Sequence, residues 1–349
     1  MDINRILEEI RPLDTEAMQK AINRLDNLTK PIGSLGVLED LVVQLAGITG
    51  EITPAVHNKM VIVMAGDHGV VEEGVSAAPQ SVTPQMVYNF LKGGAGINVL
   101  ARLAGAEVKV VDVGVADPAL QDPNLISRKV RLGTANMTKG TAMTRQEALE
   151  AIKVGIEIAQ TEIDQGINLL ATGEMGIGNT TPSSAILAVY TDIDLPVIVG
   201  PGVGLGNEGM EKKIRAIRTA LQVNQPDPAD PIDVLAKVGG LEIAGMTGLI
   251  LGSAARRAPV VIDGFISGAS ALIACKIAPQ VKDYIIASHL SEEPGHKILL
   301  EVIGLEPILR MRMRLGEGTG AALAFNVIEA ATRIMREMAT FEEAGVIMD

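Results

Sequence analysis

The stretch MVIVMAGDHGV, residues 60–70, decides the reading of the fold: an apolar run without polar alternation, then a glycine-bearing turn that carries an aspartate and a histidine. A strand with one wet face alternates, whereas a strand covered by helices on both faces reads as a continuous apolar run. The same succession of short apolar run, glycine-containing loop and longer helical pattern recurs at 108–113, 168–171, 197–199, 259–262 and 283–287. Helical patterns lie between or beside these runs, near 84–91, 97–104, 146–165, 182–190, 208–221, 240–258 and 267–275. Together they predict an open, mostly parallel α/β sheet flanked by helices. Right-handed crossovers would gather the strand-to-helix loops at one end of the sheet, where ligands bind.

Outward from this body both chain ends turn helical. Ile3, Ile6, Leu7 and Ile10 fit one face of a short helix, Pro12 interrupts it, and a second helix is expected over 15–28 with Asp14 as its cap. A third follows the turn KPIGS over 35–49. Beyond the sheet come helical patterns at 295–303 and 319–338, separated by a basic stretch at 310–314. The two ends are expected to meet as one small helical domain, 1–55 with 306–349, beside an α/β domain of 56–305. The cluster VNQPDPADPID, 223–233, reads as a rigid polar loop.

Composition narrows the function. With 349 residues, 47% of them hydrophobic and 21% charged, the chain can bury a large core. Its 42 acidic against 30 basic residues give a formal charge of -12, which argues against a general nucleic-acid or anionic-membrane surface and requires any phosphate site to be built locally. Cys275 is alone, and His57, His68, His289 and His296 have no close metal-ligand spacing, so no disulfide and no metal are expected. The first twenty residues do not read as a secretion signal and no apolar run approaches a membrane span. A cytoplasmic protein is the expectation.

Four constellations carry chemistry. Asp67 and His68 follow the 60–64 run; they are read either as a hydrogen-bonded pair fixing the loop or as ligand contacts. In TGEMGIGNTTP, 172–182, glycines let backbone N–H groups surround an anion while Asn179, Thr180 and Thr181 add short polar arms at a helix start. GPGVGLG, 200–206, offers a second such loop, with Lys212 and Lys213 in reach as point charges. Neither loop ends in the G-K-[ST] of a nucleoside triphosphatase. In RMRMRLGEGTG, 310–320, Glu317 lies between two glycines, where small neighbours admit a planar ligand and apolar surroundings raise a carboxyl toward a useful base. Capping of the helix that starts near Thr319 is the competing reading. Asp263, after the 259–262 run, is a candidate for positioning a loop or a ribose hydroxyl.

The order of these segments, with KPIGSLG at 30–36, PQSVTPQMV at 79–87, GGAGIN at 93–98, IDGFISGASAL at 262–272 and SHLSEEPGH at 288–296, resembles the nicotinate-nucleotide:dimethylbenzimidazole phosphoribosyltransferase family over nearly the whole chain. The resemblance implies an α/β domain, a small helical domain from both ends, a homodimer and no cofactor. It assigns Glu317 as catalytic base and puts Glu174 in the reactive site. Gly176, Gly202, Gly204 and Lys213 would surround the nucleotide phosphate, joined by Asn179 and Thr180, while Ser81, Gln80, Gln85 and Leu315 would lie near the aromatic base.

The implied reaction transfers phosphoribose from nicotinate mononucleotide to 5,6-dimethylbenzimidazole in cobalamin assembly. Nicotinate leaves as a neutral ring from a pyridinium, so the leaving group needs no acid, and a carboxylate removes the proton of the incoming base. A nucleotide N-glycosidase, with water as acceptor, and a noncatalytic nucleotide-binding regulator remain alternatives at this point.

Overall fold

The computed structural model describes residues 3–347; residues 1, 2, 348 and 349, the outermost of the terminal segments above, lie outside the described residues. Six strands form one sheet: β1 (Lys59–Gly66), β2 (Ala106–Gly114), β3 (Leu125–Ser127), β4 (Leu169–Met175), β5 (Val260–Ile262) and β6 (Ile285–Ala287). Their order is β3-β2-β1-β4-β5-β6 and every pairing is parallel. The expected parallel sheet is therefore present, and the reason for the unbroken apolar runs is direct: every residue of β1, β5 and β6 is buried.

Four details differ from the sequence reading. Residues 197–199 are not a strand, because Pro196 enters the first turn of a short helix there and leaves Val197 about half exposed, at 54%. Strand β3 was not anticipated; it is a three-residue edge strand with no apolar run to announce it. Strand β4 does not end at Ala171 but continues through the polar residues 172–174 to Met175. The proline cluster at 223–233 is also shorter as a loop, since Pro231 begins a helix whose N–H groups at Ile232 and Asp233 are accepted by the Asp230 side chain.

Helices α1 (Ile3–Glu9), α2 (Thr15–Asn27) and α3 (Val37–Thr49) precede the sheet; α4 (Val82–Leu91) and α5 (Gly96–Ala104) join β1 to β2. Between β3 and β4 runs α6 (Arg145–Asp164), and between β4 and β5 run α7 (Thr180–Val189), α8 (Leu195–Ile198), α9 (Asn207–Asn224), α10 (Pro231–Val238) and α11 (Leu241–Ala255). The remainder are α12 (Phe265–Ile277), α13 (Pro294–Ile303), α14 (Thr319–Glu337) and α15 (Phe341–Ala344). Asp14 caps α2 as expected, Oδ1 accepting from Ala17 N at 2.9 Å. No helix among the described residues is long and apolar enough to cross a membrane.

Strand alternation divides the core into two layers. Met60, Ile62 and Met64 of β1 face a layer built with α6, α11 and α12, whereas Val61, Val63 and Ala65 face α2, α3, α4, α5 and α14. In the first layer α11 is buried along its whole length. It lies backbone to backbone on α6: a Cβ at Gly155 would stand 1.9 Å from Gly245 O, and one at Gly248 the same 1.9 Å from Ile152 O. The glycines of α11 thus serve helix-to-helix contact as well as approach to the sheet. In the second layer the chain ends meet. Thr29 N donates to Ala339 O at 3.0 Å, Arg24 Nε to Met335 O at 3.0 Å, and α3 packs on α14.

Candidate active site

The strand order reverses direction between β1 and β4, and in open parallel sheets ligands bind beyond the carboxyl ends of strands near such a point. There the structure opens a cavity of about 340 Å³. Its lining brings together Glu174, Gly176, Asn179, Thr180, Gly202, Asp263, Leu315 and Glu317, which stand far apart in the chain.

Glu174 belongs to β4 itself, opposite Met64 of β1, and not to the loop after the strand. Its Oε1 accepts from Glu317 N at 3.3 Å and its Oε2 from Asn179 Nδ2. Burial pushes this carboxyl up to about 8, and the charge of Asp263 adds to the rise against the pull of those donors.

Asp263, one residue past β5, caps α14: Oδ1 accepts from Gly320 N at 2.7 Å and Ala321 N at 3.1 Å, and Oδ2 accepts from Gly318 N at 3.2 Å. Burial raises its carboxyl too, while His289 and these N–H groups hold it back. Only glycine fits at 320, since a Cβ there would meet His289 Nδ1 at 1.9 Å.

Glu317 is held by the same loop. Gly316, Glu317 and Gly318 all have positive φ, 84°, 64° and 94°, and for a residue with a side chain that conformation costs about 1–2 kcal/mol. Its carboxylate turns away from α14 and Oε2 accepts from Ile97 N at 3.0 Å, at the start of α5. The capping reading is thereby corrected: α14 is capped by Asp263, and Glu317 lines the cavity. Burial raises its carboxyl, the N–H groups of Ile97 and Gly96 lower it, and Asp263 raises it further. Such a rise suits a base working near neutral pH.

At the other end, Gly176, Asn179 and Thr180 lead into α7 beside Gly202. Lys213 is fully buried behind them; its Nζ donates to Thr180 Oγ1 at 2.7 Å and to Gly200 O at 2.8 Å. Burial draws its ammonium down to about 8, and Glu293 works against that fall. Lys212 points outward to Glu208 at 2.7 Å, so of the two lysines only Lys213 approaches the site. Gly204 is at φ 101° on the exposed side of its loop, outside the lining.

The apolar wall is made by Val75, Val82, Met86 and Leu315. Ser81 and Gln85 are exposed beside it, and Gln80 Nε2 donates to His68 O at 3.3 Å; none of the three is in the lining. Helix α4 instead offers Val82 and Met86.

Asp67 and His68 are both buried but are not each other's hydrogen-bond partner. His68 Nε2 bonds Glu242 Oε1 at 2.7 Å, and Asp67 Oδ2 accepts from Ala116 N at 2.8 Å. Burial alone would lower the imidazole, but the Glu242 carboxylate outweighs it and the net direction is upward. Glu242 comes from the first turn of α11, too distant in sequence to be paired with His68 by spacing. Sequence reasoning also missed Glu293, whose Oε1 accepts from Gly202 N at 3.1 Å, and Arg314, whose Nη1 donates to Gly202 O at 3.2 Å. For Glu293 the available signal was its place in SHLSEEPGH; for Arg314 it was the Arg-Met alternation that ends at the glycine loop.

A family profile described as phosphoribosyltransferase matches residues 10–346. A nicotinate-nucleotide–dimethylbenzimidazole phosphoribosyltransferase of Geobacter sulfurreducens is 58% identical over 344 residues, covering 99% of this chain and 98% of its own. One of the same name from Desulforudis audaxviator is 56% identical over 347 residues, covering 99% and 98%. The crystal structure of the Thermus thermophilus enzyme of that name superposes with a TM-score of 0.91 at 46% identity, covering 97% of this chain and 100% of that one. On these matches the chain belongs to the nicotinate-nucleotide–dimethylbenzimidazole phosphoribosyltransferase family.

Proposed function

We propose that the chain transfers the 5-phosphoribosyl group of nicotinate mononucleotide to 5,6-dimethylbenzimidazole with inversion at C1, giving α-ribazole 5'-phosphate and nicotinate in cobalamin nucleotide-loop assembly. The observation that carries this reading is Glu317: a buried carboxyl on a strained loop, facing a cavity with an apolar wall on one side and glycine loops over a buried lysine on the other. The base lies against Val82, Met86 and Leu315. The phosphate is taken by Gly176, Asn179, Thr180 and Gly202, with the charge of Lys213 behind them. Ser81, Gln80, Gln85 and Gly204 stand off this lining and are left out of the proposed contacts.

One oxygen of Glu317 is engaged by Ile97 N, which leaves the other for the ring N–H of the acceptor. The acceptor's second nitrogen gives its lone pair to C1, the C1–N bond to the pyridinium breaks with its electrons going to nicotinate, and the acceptor's proton passes to Glu317. Glu174, with a carboxyl raised to about 8, is largely protonated in the empty site at neutral pH. The pyridinium cation draws it toward the carboxylate, which then stabilises positive charge on the ribose. Two copies of the chain associate in this reading, with residues 1–55 and 306–349 as a small domain on the 56–305 body. The reaction is cytoplasmic, in keeping with a single cysteine.

Product identification tests the proposal. Mixed with both substrates, the protein is expected to yield α-ribazole 5'-phosphate, with its mass and α-anomeric proton resolved by mass spectrometry and NMR. Nicotinate release without the base, accompanied by ribose 5-phosphate, would make it a glycosidase; tight binding with no turnover would make it a regulator. A monomeric mass in light scattering at working concentration would remove the dimer.

A further inference from the structure

Thr83 is a fully buried residue of α4, and the reaction as proposed makes no use of it. Its neighbours Val82 and Met86 form the apolar wall. Its Oγ1 accepts from Ile177 N at 3.1 Å, inside the loop that runs from Gly176 to Asn179. Burial raises the nearby Asp67 carboxyl and the Thr83 hydroxyl holds it back, while Asp67 Oδ2 accepts from Ala116 N at 2.8 Å. The Thr83 hydroxyl therefore ties the helix carrying the wall to the glycine loop before α7.

The glycine loop needs such a tie. Gly178 has φ 89°, and the glycines on both sides of the buried Ile177 carry no side chain that could fix the backbone, so the N–H of Ile177 is held through Thr83. We propose that Thr83 is a positioning residue that registers the nucleotide loop against the acceptor wall, so that nucleotide and aromatic base are held at a common distance. This deepens the transferase reading and rests on it.

The test uses the full-length protein with Thr83→Val, which keeps the shape and removes the hydroxyl, and Thr83→Ser, which restores it. One lost hydrogen bond predicts a KM for nicotinate mononucleotide about tenfold higher in Thr83→Val, a several-fold rise for the base, and a smaller change in kcat. Thr83→Ser should return both KM values to within about threefold of the unmodified protein. A merely structural threonine gives a different pattern: a lower melting temperature and a smaller active fraction, with both KM values unchanged, and that result overturns the inference. Should the valine variant not fold, Thr83→Ala carries the same expectation and the same contrary outcome. If the unmodified protein forms no α-ribazole 5'-phosphate, the transferase reading falls and this inference with it. Normal turnover with an indifferent Thr83 overturns this inference alone.

Discussion

At one end of the cavity three carboxyls meet around the 316–318 loop; at the other a lone ammonium lies beneath glycines. Glu174, Asp263 and Glu317 are all raised by burial, and each is held back by N–H donors. Lys213 is shifted the opposite way, down to about 8, and its direct partners are a hydroxyl and a carbonyl oxygen, with no carboxylate bonded to it. Each end thus holds ionisable groups that burial shifts toward their neutral forms, and in each case the complementary charge is carried by the proposed ligand. In the proposed complex a phosphate dianion stabilises the ammonium, and a pyridinium cation favours the carboxylate.

The largest effect expected from this contrast is at Glu317. Glu317→Gln keeps the size and removes the basicity, so transferase turnover should fall by roughly 100- to 10,000-fold with the fold intact. In the unmodified protein the rate should rise with pH as the raised carboxyl of Glu317 loses its proton, and this acid limb should vanish in the variant. Next is the opposite end. Lys213→Ala should weaken nicotinate mononucleotide by about 10- to 100-fold in calorimetry while changing nicotinate riboside far less, since only the former carries the phosphate. An equal loss for both ligands would contradict a phosphate role.

A smaller and purely thermodynamic effect concerns Glu174. A glutamate carboxyl free in water titrates near 4.5, and burial pushes Glu174 up to about 8 in the fold. Its stabilising contribution is therefore complete below the lower value and is lost as pH rises through the higher one, because the unfolded chain releases a proton that the folded chain retains. Glu174→Gln escapes that loss. Its melting temperature relative to the unmodified protein should climb between about pH 5 and pH 9, and a difference flat with pH would contradict the raised carboxyl. The smallest effect is at Lys212, which is paired outward with Glu208. Lys212→Ala should leave nucleotide affinity within about twofold, as expected of an exposed i,i+4 pair.

The contrast between the two ends also explains what could be read from residues alone. Strand β1 is legible because burial on both faces leaves no polar alternation, and Glu317 stands out because its small glycine neighbours admit a planar ligand close to the backbone. Strand β3 is not legible, since a short edge strand buries too little to leave a pattern. The 197–199 run misled because three apolar residues carry no period, and Pro196 decided for helix. Glu174 was read as a loop residue because the polar residues 172–174 hide the last turns of a strand that is still paired to β1. The pairing partners of Glu242 and Glu293 are not legible for a different reason: each carboxylate meets its partner across the fold, His68 in one case and Gly202 in the other, and spacing along the chain does not encode the pairing, even though SHLSEEPGH marks Glu293 itself.

The central claim is that Glu317 takes the acceptor's proton as the new C1–N bond forms. The most direct measurement is single-turnover formation of α-ribazole 5'-phosphate by folded Glu317→Gln protein at saturating nicotinate mononucleotide and dimethylbenzimidazole, with nucleotide binding measured on the same sample. A rate lower by roughly 100- to 10,000-fold with nucleotide affinity preserved is the predicted result. A rate near that of the unmodified protein would contradict it and pass the role of proton acceptor to Glu174.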